Sequence, residues 1–141
     1  AQVPVQISPN VMAELWSKMM IKFAFNAISG LAQIQYGKLA ALESVRSTQT
    51  ALVKEVIAVA HADGIHLSET VALQAVEQIS VTMGSQKSST AQDMARSKLS
   101  EIDHLNGFIV RRGQALGVAT PVNQALFALV KLVESTYTAH A

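Results

Sequence analysis

Four polar residues on an otherwise apolar stretch are the first chemistry the sequence offers. Glu14, Lys18, Lys22 and Asn26 recur every four residues, which sets them in one narrow, slowly drifting row on a helix. Around them stand Met12, Leu15, Trp16, Met19, Met20, Ile21, Phe23, Ala24, Phe25, Ala27 and Ile28, so almost no direction of the wheel is free of apolar side chains. A helix of that kind is normally buried within a larger assembly, and polar groups on it need partners or must line a cavity. The row is therefore either a solvated strip whose lysines snorkel outward or the polar wall of a binding cleft. On the second reading Lys18 matters most, because partial desolvation of its ammonium makes a proton easier to give away.

A carboxylate is the next candidate. On a helical period, Ser89 to Pro121 places Met94, Ala95, Leu99, Ile102, Leu105, Ile109 and Leu116 on one stripe, with Arg96, Asp103, His104, Gly107, Arg111 and Gln114 opposite. Glu101 belongs to neither group; it lies at the stripe's edge, on the flank that continues through Leu105 and Phe108. A carboxylate there is either solvated at a rim or aimed into a cleft. The expectation is that Lys18 and Glu101, carried by separate helices, converge on a common hollow.

Other groups carry less. His61, Asp63 and His66 gather at a helix end without the fixed spacing of a metal motif, and a helix-end histidine facing the dipole accounts for them better. Arg111-Arg112 reads as structural or solvent-facing. Gly107 and Gly113 sit inside a helical pattern at about 1 kcal/mol each relative to alanine, either for close approach or through simple tolerance. There is no glycine-rich phosphate loop, nucleophile elbow or paired-cysteine site.

These residues must be positioned by helices, for no alternating strand pattern of useful length and no repeat is present, and the predicted class is an all-α helical bundle. Ser8-Pro9 caps and begins a helix reaching about Ser29-Gly30. Leu31 to Ser44 holds a turn at Tyr36-Gly37 and is left without regular structure. A second long helix runs from about Ser44 or Thr48 to His61 and stops at Asp63-Gly64. Ser68, with Glu69 at the positive end, caps a third that extends to about Met83. The small, polar stretch Gly84–Thr90 is a loop before the long helical period. That period ends at Gly117, suited to the left-handed residue, and Thr120-Pro121 caps and starts the last helix, which frays near Tyr137.

The 141 residues suit one domain able to bury a real core. Half are hydrophobic and only 15% charged, against about 25% in an average soluble domain, so part of the apolar surface is expected to be covered by something outside this chain. A net charge of +1 leaves no footprint for nucleic acid or acidic lipid. No cysteine is present, and no segment has the unbroken length of a membrane span.

At these residues the chain resembles a known family. ELWSKMMIKFAFNAISGL (14–31) is similar to the segment opening the C-terminal domain of ketopantoate reductases, the 2-dehydropantoate 2-reductases. Ser88-Ser89 followed by SEIDHLNGFIVRRGQALGVATPVNQALFALVKLVE (100–134) resembles that domain's second signature. The similarity spans nearly the whole chain and is weakest between about Leu39 and Ser85. It implies a helical domain related to the C-terminal part of 6-phosphogluconate dehydrogenase, at residues 9–141, with residues 1–8 a linker from an N-terminal Rossmann domain that holds NADPH. It implies a cytoplasmic reductase converting ketopantoate to pantoate, toward pantothenate and coenzyme A, whose C-terminal domain is inactive by itself.

The resemblance also assigns roles. Lys18 matches the catalytic lysine, Asn26 and Ser89 match substrate-binding residues, and Glu101 matches a glutamate that approaches the nicotinamide end of the cofactor. Lys22 stands at a substrate-contacting position usually held by asparagine, and Ala27 where proline often follows Asn26; both bear on which 2-keto acid is taken. In the family this domain can also build a homodimer interface. The alternative reading is a helical dimerisation or interaction module in which the polar row is incidental.

Overall fold

The computed structural model describes residues 9–137, so the expected linker and the Ser8 cap lie outside the described residues. Among the described residues there are seven α-helices, one 3-10 turn and no strand, which is the all-α class that the periodicity predicts. Helix α1 (Pro9–Ala32) resolves its crowded wheel by direction and by depth. Trp16, Met20, Phe23, Ala24, Phe25 and Ala27 are buried, while Leu15, near the start, keeps 49% of its surface exposed. Each large side chain fully withdrawn from water contributes about 1.5–3 kcal/mol, so α1 is anchored from Trp16 onward, with Met12 packed partly against the same core.

The stretch expected to lack regular structure holds a short helix, α2 (Tyr36–Leu39), with Tyr36 and Leu39 buried and the Tyr36 ring 4.4 Å from that of Phe25. Helix α3 (Glu43–Ala62) ends at Asp63, and Gly64 takes the left-handed φ of +83°. Helix α4 (Glu69–Thr82) starts as predicted, the Ser68 hydroxyl accepting from the Val71 N–H. The principal core lies among α1, α2, α3 and α4, joined by Leu105 and Ile109 from later in the chain.

The single helical period over Ser89 to Pro121 is the main expectation that the structure corrects. It divides into α5 (Ser89–Ala95), a 3-10 turn (Ile102–His104) and α6 (Asn106–Leu116). Ser97 adopts a positive φ of 55°, and Lys98 N–H reaches back to the Asp93 carbonyl at 2.9 Å, which closes α5. Of the anticipated stripe, Met94, Ile102, Leu105 and Ile109 are buried, but Leu99 is 66% exposed. The break has a cause in the last helix, α7 (Pro121–Ser135). Its Glu134 is buried and takes hydrogen bonds from both the N–H and the hydroxyl of Ser100, each at 2.7 Å. A continuous helix would use that N–H in its own ladder.

Gly117 closes α6 in the left-handed conformation, φ +74°, as its position predicts. Pro121 begins α7, but the Thr120 side chain makes no cap. Glu55 of α3 replaces it, accepting from Val122 N–H (2.9 Å), Asn123 N–H (3.0 Å) and Asn123 Nδ2 (2.8 Å), and a negative charge is favourable at that helix end. A smaller core of Ala27, Met94, Ile102 and Val130 lies where α1, α5 and α7 meet. Leu132 (64%), Leu129 and Val133 on α7 and Val71 and Val81 on α4 remain exposed, in keeping with the shortage of charge read from the composition.

Candidate active-site cleft

The four-residue row on α1 changes character along its length. Lys18 and Lys22 are exposed, so this domain does not by itself desolvate Lys18 as the apolar wheel led one to expect. Among the described residues neither lysine, nor Glu14, is in an ion pair. One turn beyond Lys22, Asn26 is buried at 3% exposure.

What covers Asn26 is the start of α5. Its Nδ2 donates to Thr90 Oγ1 at 3.1 Å and to Ser89 Oγ at 3.4 Å. Ser88 caps α5 by accepting from Ala91 N–H at 3.0 Å, and its hydroxyl donates to the Asn26 carbonyl at 3.2 Å. Gly30 makes the close approach geometrically open: a Cβ there would stand 2.7 Å from Met94 Sδ and 2.9 Å from Thr90 Cγ2. Thus two of the anticipated substrate residues, 63 positions apart, are brought together. Ser89 is exposed and Asn26 stands behind it.

Glu101 is exposed and unpaired among the described residues. It lies in the turn rather than on a helix flank, and its carbonyl accepts from His104 N–H at 2.8 Å. Among the described residues Lys18 and Glu101 form no ion pair with each other, and neither lines the apolar hollow beside α1 in which they were expected to converge. Leu15 and Met19, flanking Lys18, line that hollow of about 230 Å³ with Trp16, His104 and Phe108, and the Trp16 and Phe108 rings lie 6.1 Å apart. A larger groove of about 570 Å³ between α3 and α4, lined by Arg46, Gln49 and Glu77 among others, contains none of the five residues selected from the sequence.

The remaining candidates have local uses. His61 Nε2 lies 3.1 Å from the Leu67 carbonyl oxygen and 3.3 Å from its N–H. Arg112 forks onto both Asp63 carboxylate oxygens, and Arg111 donates to the Asp103 carbonyl at 2.7 Å. Gly107 and Gly113 are close approaches: an added Cβ would meet Phe127 Cε1 and the Val118 carbonyl oxygen respectively, each at 2.7 Å. Two residues escaped the sequence reading, Thr90 and Glu134. Glu134 did leave a signal, falling four residues after buried Val130 and eight after Leu126 on the inward stripe of α7.

Fold and row together define a helical domain in which a row of polar side chains along α1 meets the start of α5 where Asn26 bonds Ser89, and an apolar hollow lies between Trp16 and Phe108. The chain belongs to the ketopantoate reductase PanE/ApbA C-terminal family, whose model matches residues 10–134. It is 36% identical to the 2-dehydropantoate 2-reductase of Pyrobaculum aerophilum over 93% of this chain and 47% of that one. With the Vibrio cholerae enzyme of the same name it shares 33% identity over 98% of this chain and 46% of the other. The chain therefore spans about half the length of the curated relatives it matches. Among solved structures it superposes on a PanE/ApbA family ketopantoate reductase from Ralstonia eutropha with a TM-score of 0.87 and 49% identity, covering 96% of this chain and 45% of that one. A D-mandelate dehydrogenase solved with NADH and anilino(oxo)acetate gives a TM-score of 0.88 at 25% identity, covering 94% and 44%. Among the described residues no helix is long and apolar enough to cross a membrane.

Proposed function

We propose that this domain is the substrate-binding and proton-donating half of an NADPH-dependent 2-keto acid reductase acting on ketopantoate or a close analogue. The observation that carries the reading is the graded row on α1, with ammonium groups exposed at Lys18 and Lys22 and a floor where Asn26 meets Ser89. At 1.5 Å rise per residue the row from Lys18 to Asn26 is about 12 Å long, ample for a small keto acid. Lys18 donates the proton to the ketone oxygen as the carbonyl carbon is reduced, and its charge stabilises the developing alkoxide. Lys22 draws in the carboxylate, and the Ser89 hydroxyl, held by Asn26, contacts the remaining polar groups.

The hydride would come from a reduced nicotinamide held by an adjoining Rossmann domain. Among the described residues no strand leads into a glycine-rich loop, so the fit to that cofactor is confined to its nicotinamide end, where exposed Glu101 offers a hydrogen-bond acceptor. The hollow beside Trp16 and Phe108 supplies an apolar wall that excludes water from the reacting carbonyl.

The test uses the full-length protein and NADPH oxidation with ketopantoate. Lys18→Ala lowers turnover by about 10²- to 10⁴-fold, the range of general acid catalysis, with an unchanged unfolding curve. Retention of wild-type turnover in the variant overturns the reading, as does a full-length protein inactive on every 2-keto acid tried. The alternative, a helical interaction module, is favoured by the exposed strip of Leu129, Leu132 and Val133 on α7. It gives no role to the exposed ammonium groups of Lys18 and Lys22.

A further inference from the structure

We infer that Glu134 is a positioning residue for Glu101, an inference that rests on the proposed role of Glu101 at the nicotinamide end of the cofactor. Glu134 lies on the inward face of α7 with 2% of its surface exposed. A carboxylate taken out of water is costly unless it is paired and hydrogen-bonded, so its partners define what it is for.

Those partners belong to the turn that carries Glu101. Oε2 of Glu134 accepts from the N–H and from the hydroxyl of Ser100, both at 2.7 Å, the short distances of charge-assisted bonds. The Ser100 hydroxyl in turn accepts from Ile102 N–H at 3.3 Å. Glu101 is thus bracketed by two residues tied to one buried acid, and its own carbonyl is held by His104 N–H.

The other oxygen, Oε1, is buried without a hydrogen bond and faces Lys131 Nζ at 3.5 Å. Lys131 also pairs with Asp103 Oδ2 at 2.9 Å, and Arg111 donates to the Asp103 carbonyl. The turn is therefore fastened to α7 at Ser100 and at Asp103, on either side of Glu101. Loops without such supports sample many conformations. With them, the Glu101 carboxylate stands on a fixed backbone, although its own side chain is in no ion pair among the described residues.

The experiment is a double-variant cycle in the full-length protein, read as KM for NADPH and as kcat. Glu101→Ala and Glu134→Ala each raise KM for NADPH by roughly tenfold, the scale of one lost charge-assisted hydrogen bond, and the double variant is no worse than Glu101→Ala alone. Glu134→Gln, whose amide oxygen still accepts from Ser100, recovers most of the loss. Ser100→Ala gives a smaller rise of the same kind and serves where Glu134→Ala fails to fold. If Glu101→Ala raises KM while Glu134→Gln, Glu134→Ala and Ser100→Ala all leave it unchanged, the inference is overturned and the reading of Glu101 stands. Multiplying penalties in the double variant also overturn it, for they mark an effect independent of Glu101. If Glu101→Ala leaves KM unchanged, the reading of Glu101 falls and this inference falls with it.

Discussion

Asn26 Nδ2 lies 3.4 Å from the hydroxyl oxygen of Ser89, across 63 residues of chain. The bond divides labour between the two. Asn26 is buried and also donates to Thr90, so Asn26→Ala strands hydroxyl acceptors at the contact between α1 and α5 and costs about 1–3 kcal/mol of stability. Ser89 is exposed, and Ser89→Ala leaves stability within about 0.5 kcal/mol. In the full-length protein both variants raise KM for the keto acid. Urea midpoints set beside steady-state kinetics check this; equal stability losses for the two would show that Ser89 serves packing rather than substrate binding.

Lys22 adds a second exposed ammonium one turn from Lys18. Like charges four residues apart repel by a few tenths of a kcal/mol, so the pair is expected to earn its place through an anion. Lys22→Asn raises KM for a monoanionic keto acid by about fivefold, the equivalent of about 1 kcal/mol of Coulomb attraction in a watery site. It also flattens the dependence of KM on salt, since the Debye length falls to about 10 Å at 0.1 M. Parallel salt profiles for wild type and variant would remove Lys22 from substrate binding.

How far the sequence reaches is visible in these residues. The row on α1, the Ser68 cap, the Gly117 stop and the Pro121 start all depend on local spacing, and all appear where local rules put them. The Thr120 cap does not, because the α7 N-terminus is satisfied by Glu55 from another helix, a long-range event that no local window contains. The long period through Ser89 to Pro121 misleads for the same reason. Met94, Ile102, Leu105 and Ile109 do turn inward while Leu99 stays exposed, and Glu134 draws Ser100 out of any helix. Lys18 shows the opposite failure: the wheel counts apolar neighbours on α1 and cannot say that Leu15 beside it faces outward.

The Asp63–Arg112 pair makes stability sensitive to acid. The hydrogen bond from Arg112 holds the Asp63 carboxyl below its ordinary value of 3.8, with the attraction of the charges adding and slight burial opposing. A lowered folded-state pKa means that the unfolded chain binds the proton more readily, so stability rises with pH across the interval between the two values. The contribution is complete above the unfolded value and disappears as pH falls through the lower folded one. Asp63→Asn is therefore less stable than wild type at neutral pH, and the two converge when urea midpoints are followed down through pH of about 4 and below. A gap that stays constant into acid would mean that the pair is held by geometry alone. Since Asp63 ends α3 and lies outside the α1 row, turnover of the full-length variant is unchanged.

Gly107 joins fold to site most directly. A Cβ there would stand 2.7 Å from Phe127 Cε1 and 3.1 Å from the carbonyl oxygen of Ile102, the first residue of the turn that follows Glu101. Alanine is the better helix former by about 1 kcal/mol, and overpacking of this kind costs about 1–3 kcal/mol, so the balance depends on whether Phe127 can yield. Its ring is half-buried against the smaller core with Ile102 and Val130, and the Ile102 carbonyl is backbone, so Gly107→Ala is destabilising overall. The urea midpoint drops with no change in slope, and Phe127→Leu in the same chain restores part of the loss by removing the ring. In the full-length protein, displacement of Ile102 also raises KM for NADPH, because the turn moves as a unit. A Gly107→Ala variant that is as stable as wild type would show that Phe127 swings aside and that the turn is not braced from this side.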